Sequence, residues 1–231
     1  MNWDIIREYI PLYMQGAKLT LLLTFLALAI SFLLALPLAF ARNSRNPLIR
    51  YPVLAYSCVF RGTPLLVQLF LIYFGLAQFE LLRTSFLWPW LSSPMLCVLA
   101  AFVLNSTAYT TEIFAGGLRH IPVGEIEAAR AFGMSAVVQA RRILIPAMLT
   151  RSLPLYGNEM IMMLHATSLA STVTLLEVTG VARTITLNDY IQLEPYLTAA
   201  GIYLVFTFVL VSSFQLAQHR WAGYLERGRN R

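Results

Sequence analysis

The chain has 231 residues, of which 58% are hydrophobic and only 12% are charged. Soluble globular chains carry about 25% charged residues, so this composition predicts a surface that faces lipid rather than water. The net charge of +6 comes from arginines gathered at the ends of apolar runs. Because the aromatic and basic residues are not interleaved as on a base-stacking surface, we expect no nucleic acid as a partner.

Long uncharged stretches predict five membrane-spanning helices in one domain that covers residues 1–231. A spanning helix needs about 20 mainly apolar residues. The third span is expected to end before the pair Gly116-Gly117. The first is longer than a signal-peptide core of about 7–15 residues, so we expect it to stay in the mature protein. The predicted spans are residues 19–41, 62–80, 94–115, 153–176 and 195–218.

The segment between the first two predicted spans contains an apolar stretch that is too short to cross a bilayer. We expect residues 47–60 to form a helix that lies along the cytoplasmic surface. Pro64 is then expected in the first turn of the second span, where its missing N–H costs little.

The basic residues predict the orientation of the chain. Five spans place the two termini on opposite sides of the membrane. With the C-terminus in the cytoplasm, thirteen basic residues fall in inner segments and four in outer ones. The positive-inside rule therefore predicts that the N-terminus lies outside and the C-terminus in the cytoplasm.

The cytoplasmic connection over residues 118–146 is far longer than two packed helices need. Pro122 and Gly124 open a predicted short helix, and Gly133 ends it in the C-cap position. A second helix follows, and Pro146 is expected to start the next segment. Capping and charge alone predict a helix-turn-helix that rests on the membrane surface.

The acidic residues of this loop add a more specific pattern. Glu125 and Glu127 are expected in the first turn of the short helix, where negative charge complements the helix dipole. Glu127-Ala128-Ala129, then three residues, Gly133, nine residues and residues 143–146 resemble the EAA loop of ABC-importer permeases. The family pattern ends in Ile-x-Leu-Pro, and Ile145 here replaces the leucine.

Three further segments extend the resemblance over almost the whole chain. Residues 60–65 and 105–116 look like polar amino acid permeases, and residues 158–170 look like the histidine/lysine/arginine/ornithine type, in particular its M-type membrane subunit. The resemblance implies the all-α type I ABC-importer permease fold and a location in the bacterial inner membrane. The implied cargo is a polar and basic amino acid, or a derivative such as an opine.

The resemblance also implies how the transporter is assembled and driven. The implied partners are a second permease subunit, identical or homologous, two cytoplasmic ATPase subunits and a periplasmic amino-acid-binding protein. The only lysine, Lys18, is followed by Leu19, so this chain has no phosphate-binding P-loop. ATP and Mg²⁺ are therefore expected on the ATPase subunits, and we expect no cofactor, metal site or catalytic residue here. The implied ATPase-coupling residues are Gly124, Glu125, Glu127, Ala128, Ala129, Gly133 and Pro146.

Polar residues inside the predicted spans are candidates for a substrate path, because ionisable groups in a membrane are costly. Glu159 has two interpretations: an ion pair with Arg151 or Arg61 near the interface, or attraction of a cationic substrate. The side chains on one face of the fourth span could join helices or line the path. His165 has no second histidine or cysteine nearby to complete a metal site. The candidates are Gln68, Asn158, Glu159, His165 and Ser168.

One alternative from another functional class stays open on the sequence. The chain could be a membrane interaction or sensory subunit that uses the same loop to signal and transports nothing. ATP-dependent uptake by the reconstituted complex distinguishes the two interpretations.

Overall fold

A computed structural model describes residues 3–86 and 88–229, with side chains described for residues 6–86, 88–216 and 218. Within these residues the regular secondary structure is entirely helical, as predicted. The helices are α1 (Trp3–Arg42), α2 (Pro47–Gly62), α3 (Leu65–Gln78), α4 (Glu80–Arg83), α5 (Trp88–Leu91), α6 (Pro94–Arg119), α7 (Val123–Ala131), α8 (Ala136–Val173), α9 (Val178–Asp189) and α10 (Leu193–Arg229).

Three of the described helices, within α1, α6 and α10, are each long and apolar enough to cross a membrane. Two bent pairs, α2 with α3 and α8 with α9, reach that length together and raise the number to at most five. The five predicted spans match this upper number, but two of them depend on a bent pair rather than on one straight helix.

Helix α1 begins at Trp3, well before the predicted start of the first span at residue 19. Arg7 and Lys18 interrupt the apolar run without interrupting the helix, because arginine and lysine are good helix formers. Tyr13 and Ala17 in this part of α1 are buried in a cluster with residues of α9. Hydropathy thus located the apolar part of the helix, whereas packing against α9 stabilises its beginning.

The helix predicted along the membrane surface, residues 47–60, is present as α2, and the chain then bends by 103° into α3. Pro64 immediately precedes α3 rather than lying inside its first turn. At about 1.5 Å per residue α3 rises about 21 Å, which is less than a hydrocarbon core of about 30 Å. Helix α3 alone is therefore short for a membrane crossing, and it reaches the length of a span only when it is counted together with α2.

Helix α6 begins at Pro94, as predicted, but continues through the pair Gly116-Gly117 to Arg119. A Cβ atom on Gly117 would lie 2.9 Å from the backbone oxygen of Met148 in α8. The glycine therefore lets two helix backbones approach closely. This close packing outweighs the cost of a glycine inside a helix, which is about 1 kcal/mol.

Helix α8 starts where we predicted a separate second loop helix and continues without a break into the predicted fourth span, residues 153–176. Pro146, expected to start a new segment, lies inside this helix. Proline lacks an N–H and clashes with the preceding turn, so it disturbs the backbone hydrogen bonds of a helix. A π-helical turn over Ala140–Leu144 lies just before Pro146. The helix ends before Thr174, whose φ is 72°.

The sequence patterns above do not predict α9, which lies between the last two predicted spans. Glu177 caps its N-terminus by accepting hydrogen bonds from the backbone N–H groups of Thr179 and Gly180, both at 2.8 Å. Helix α10 is also longer than the predicted fifth span, residues 195–218. A stripe at spacings of three and four was the available signal for α9, and it comprises the buried residues Val178, Val181, Ala182 and Ile185.

Among the residues that the structure describes, three clusters along α1 form the core. The middle cluster joins α1 to α3, α6 and α8, and it includes Leu23, Phe102 and Met163. The other two join the N-terminal part of α1 to α9 and α10, and its C-terminal part to α6 and the first half of α8. The most apolar window of α6 is 61% buried, whereas that of α10 is only 6% buried. Helix α6 therefore forms the centre of the chain, and α10 presents an apolar outer face.

Candidate functional site

A cavity of about 550 Å³ lies where the bend between α2 and α3 meets α6 and α8. We call it the polar cavity, because polar side chains from three separate parts of the chain line it together with methionine and leucine residues. Its polar side chains are Arg61, Thr63, Asn105, Tyr109, Glu159, His165 and Ser168.

Glu159 supplies the carboxylate of the polar cavity. The residue is only 8% exposed, and the Ser106 hydroxyl donates a hydrogen bond of 2.7 Å to its Oε1. Within the described part of the chain, neither Arg61 nor Arg151 forms the ion pair with Glu159 that was one of our two interpretations. A carboxylate held by a neutral donor is stabilised further when a cation approaches it in a site of low dielectric constant.

Arg61 brings positive charge to the same cavity from the last turn of α2. Its guanidinium carbon lies 5.3 Å from the centre of the Tyr109 ring, a distance at which a cation is attracted to a ring face. The amide of Asn105 donates a hydrogen bond of 3.0 Å to the backbone oxygen of Phe60 and so holds the end of α2 against α6. The cavity thus presents one cationic and one anionic side chain to the same space.

His165 and Ser168 lie between the polar cavity and a second cavity of about 270 Å³. Nε2 of His165 is hydrogen-bonded to Oγ1 of Thr207 at 2.9 Å, and Ser168 donates a hydrogen bond of 2.8 Å to the backbone oxygen of His165. His165 therefore joins α8 to α10 and also faces both cavities. Among the described residues, no three His, Cys, Asp or Glu side chains could together hold a metal ion.

Two predicted path residues do not line the polar cavity. The amide nitrogen of Gln68 donates to the backbone oxygens of Phe60 and Thr63 at 2.8 and 3.1 Å, and its oxygen accepts a bond of 3.1 Å from Asn105. Gln68 therefore holds the corner between α2 and α3. Asn158 is exposed on α8, outside the polar cavity.

Sequence reasoning did not propose Arg61, Asn105 or Tyr109 as cavity residues. Arg61 appeared only as an ion-pair partner and, with the other two, in segments that resemble a family. Hydropathy places each of them in or beside an apolar run, but it does not show which runs are neighbours. The packing of α2 and α6 against α8 brings them to Glu159.

The predicted coupling loop contains the short helix α7. Glu125 lies in its first turn, as predicted, whereas Glu127, also predicted there, lies just after the first turn. Ala129 is buried against the chain, and Ala128 is exposed. The two side chains point about 100° apart around the helix, and of the two only Ala128 is accessible to a partner.

A Schellman motif ends α7. Phe132 is the C-cap residue, and Gly133, predicted as the C-cap, follows it with a φ of 70°. The N–H of Gly133 donates to the oxygen of Arg130 at 2.9 Å, and the N–H of Met134 donates to the oxygen of Ala129 at 3.1 Å. Glycine suits this position because it adopts the left-handed conformation without steric cost.

Side chains of α8 connect α7 to the membrane-spanning part of the chain. Arg151 lies 3.6 Å from a carboxylate oxygen of Glu125 and donates a hydrogen bond of 3.1 Å to the backbone oxygen of His120. Gln139, which is buried, donates to the backbone oxygen of Ile126 at 3.1 Å. These contacts hold α7 against α8, the helix that carries Glu159.

Large apolar side chains are exposed on the loop. Val123 at the start of α7 is 67% exposed, Phe132 at its end is 84% exposed, and Val137 at the start of α8 is 64% exposed. All three lie within 15 residues of one another in the chain, and exposed apolar patches are typical of surfaces that bind another protein. Sequence reasoning placed the contact on glutamate and alanine and missed these three residues.

Comparison with known proteins adds the family. Residues 27–223 match the family described as binding-protein-dependent transport system inner membrane component. The chain is 44% identical over 218 residues to the octopine transport system permease protein of Rhizobium radiobacter, covering 94% of this chain and 88% of that protein. It is 42% identical over 212 residues to the histidine/lysine/arginine/ornithine transport system permease protein of Escherichia coli strain K12, covering 91% and 89%.

The fold agrees with the sequence comparison. A chain in the crystal structure of an amino acid ABC transporter with histidines superposes with a TM-score of 0.81 and 35% identity, covering 93% of this chain and 96% of that one. The sequence of this family thus covers most of the chain. The same chain has apolar helices, a polar cavity and a long loop with exposed apolar side chains. The protein belongs to the family of binding-protein-dependent transport system inner membrane components.

Proposed function

We propose that the chain forms half of the translocation path of an ATP-driven importer for amino acids with a cationic side chain, or for their derivatives such as opines. The observation that carries this proposal is the presence of Glu159 and Arg61 on one cavity. The relatives named for octopine and for histidine, lysine, arginine and ornithine support the same class of cargo.

The charges of the polar cavity suit such a cargo. An amino acid of this class carries an α-carboxylate, an α-ammonium group and a side-chain cation. The guanidinium of Arg61 can pair with a carboxylate through two parallel hydrogen bonds. Glu159 can pair with a cation of the cargo, and its burial limits screening by water. His165 and Ser168 then continue the path toward the second cavity.

In the proposed topology, five spans cross the bacterial inner membrane with the N-terminus outside and the C-terminus in the cytoplasm. A second permease subunit completes the path, because the polar cavity is lined by one face of a single chain and the described helices do not enclose a path. Two ATPase subunits, which bind ATP and Mg²⁺, supply the energy, and a periplasmic binding protein delivers the amino acid. Resemblance to the family supports these partners.

The loop with α7 is the proposed docking site for one ATPase subunit. Val123 and Phe132 would provide apolar contact, and Glu127 is exposed for pairing with a basic residue. The ion pair between Arg151 and Glu125 would transmit a movement of α7 to α8. Because α8 also carries Glu159, ATP-driven movement of the loop would reach the polar cavity through one helix.

Reconstitution of the chain with its proposed partners in vesicles tests this function. Uptake of labelled arginine and glutamine is measured for the wild type, Glu159→Gln and Ser106→Ala. Loss of a buried charge pair costs about 2 kcal/mol or more, so Glu159→Gln should reduce arginine uptake about thirtyfold and glutamine uptake much less. Ser106→Ala is the matched control, because it removes the hydrogen bond to Glu159 but keeps the charge.

Three results would contradict the proposal. Equal loss of arginine and glutamine uptake in Glu159→Gln would assign Glu159 a structural role. Uptake by the wild type that persists without the ATPase subunits would contradict the coupled mechanism itself. A complex that hydrolyses ATP but moves no amino acid would instead support the signalling alternative.

A further inference from the structure

A second charged cavity lies away from the polar cavity, beside the base of the loop that carries α7. Its volume is about 360 Å³, and it lies between the end of α1, the turn that leads into α2 and the end of α6. The proposed function does not use it. We call it the arginine cavity, and its lining residues are Arg42, Asn43, Ser44, Arg50, Leu118 and Arg119.

The arginine cavity has more positive charge than its neighbours neutralise. Glu112 of α6 pairs with Arg42 at 2.6 Å, and both side chains are mostly buried. Within the described part of the chain, no carboxylate lies within ion-pair distance of Arg50 or Arg119. The only side-chain hydrogen bond described for Arg119 goes to Oδ1 of Asn43 at 3.4 Å. Two guanidinium groups therefore remain available to a ligand.

The backbone contributes little to this site. The Asn46 side chain already accepts a hydrogen bond of 3.0 Å from the N–H of Leu48, and the N–H of Ile49 donates to the backbone oxygen of Asn46 at 3.2 Å. Pro47 has no N–H. The side chains of Arg50 and Arg119 would therefore hold a ligand, and planar guanidinium groups bind phosphate oxygens in pairs.

The surroundings of the arginine cavity favour a lipid as the source of the phosphate. The cavity lies at the ends of α1 and α6, which are both long and apolar enough to cross the membrane. Next to Arg50 on α2, Leu48 is 83% exposed, Ile49 is 47% exposed and Tyr51 is 61% exposed. A soluble phosphate makes no use of exposed apolar side chains, whereas the acyl chains of a lipid would cover them.

We propose that the arginine cavity binds the phosphate of an anionic phospholipid headgroup, with the acyl chains against the exposed residues of α2. Arg50 and Arg119 would contact the phosphate. Arg42, held by Glu112, would add positive charge on the cavity wall.

Native mass spectrometry of the full chain in detergent tests the site. Short-chain phosphatidylglycerol and phosphatidylcholine with the same acyl chains are added to the wild type and to the double variant Arg50→Gln with Arg119→Gln. At about 1 kcal/mol for each basic residue near an anionic lipid surface, the loss of two arginines should weaken binding of the first phosphatidylglycerol about thirtyfold. The double variant Arg45→Gln with Arg83→Gln is the matched control, because it removes two exposed arginines outside the cavity.

The control and a soluble competitor make the test decisive. The control variant should bind phosphatidylglycerol like the wild type, and phosphatidylcholine should bind all variants equally weakly. Equal affinity of the wild type and the Arg50 and Arg119 variant for phosphatidylglycerol would overturn the site. Displacement of the lipid by glycerol 3-phosphate at equal concentration would overturn the lipid as its ligand. Arg50→Gln alone should give part of the effect if the double variant unfolds at a lower temperature than the wild type.

Discussion

Substitutions at Gly133 distinguish two possible roles of this glycine in the loop. It could keep the backbone in the left-handed conformation, or it could allow close contact with a partner. Its φ of 70° is unfavourable for residues with a Cβ atom, at a cost of about 1–2 kcal/mol. A Cβ atom at Gly133 would nevertheless meet no other atom within 4 Å. In the free chain the cost is therefore one of backbone conformation and not of steric overlap.

This distinction predicts an order among substitutions. Asparagine tolerates the left-handed conformation better than alanine, and a β-branched residue tolerates it least. If the loop must keep its conformation to bind the ATPase, Gly133→Ala should weaken that binding about fivefold and Gly133→Val about thirtyfold, for costs of about 1 and 2 kcal/mol. Gly133→Asn should remain close to the wild type.

Binding of the purified ATPase subunit to the reconstituted chain, followed by transport-coupled ATP hydrolysis, measures this order. Gly201→Ala is the matched control, since a Cβ atom there also meets no atom within 4 Å and the residue lies within α10, outside the loop, without a positive φ. The control should bind the ATPase at least as well as the wild type, because alanine favours a helix over glycine. Equal failure of Gly133→Asn and Gly133→Val would refute the reasoning and assign the position to close contact with the partner.

Three further substitutions follow from the packing and the ion pairs. Gly117→Ala should lower the free energy of unfolding by about 1–3 kcal/mol through overpacking against α8, as measured by thermal unfolding in detergent. Arg42→Gln should destabilise the chain by about 2 kcal/mol, because its ion pair with Glu112 at 2.6 Å is mostly buried. Arg151 and Glu125 are partly exposed, and a double-mutant cycle should give a coupling energy of about 0.2–1 kcal/mol.

Each of these predictions has a control in the chain. Gly116→Ala should be neutral or stabilising, since the nearest atom to its Cβ would be 4.0 Å away, on Arg119. Destabilisation by Gly116→Ala as large as by Gly117→Ala would contradict the close-packing explanation. If Arg42→Gln lowers the free energy of unfolding no more than Arg151→Gln does, burial does not distinguish the two ion pairs.

Much of the candidate site could be anticipated from local sequence, and its assembly could not. The spacing of Glu127 and Gly133 identified the loop, because turn chemistry depends on neighbouring residues. The same spacing could not show that Ala129 faces inward or that Phe132 is exposed, since this depends on how α7 rests on α8. The role of Gln68 at the corner between α2 and α3 depends in the same way on contacts with Asn105 and Phe60.

Local patterns were sufficient for the helical class, the apolar stretches and the short loop helix that ends at a glycine. Apolar composition and capping residues act within one or two helical turns, so a single stretch of sequence contains that information. Whether Gly117 interrupts a helix, whether Pro146 starts one, and whether Arg61 faces the same cavity as Glu159 depended on contacts between distant segments. Close packing of helices in three dimensions decides such questions, because it can outweigh local propensities of about 1 kcal/mol.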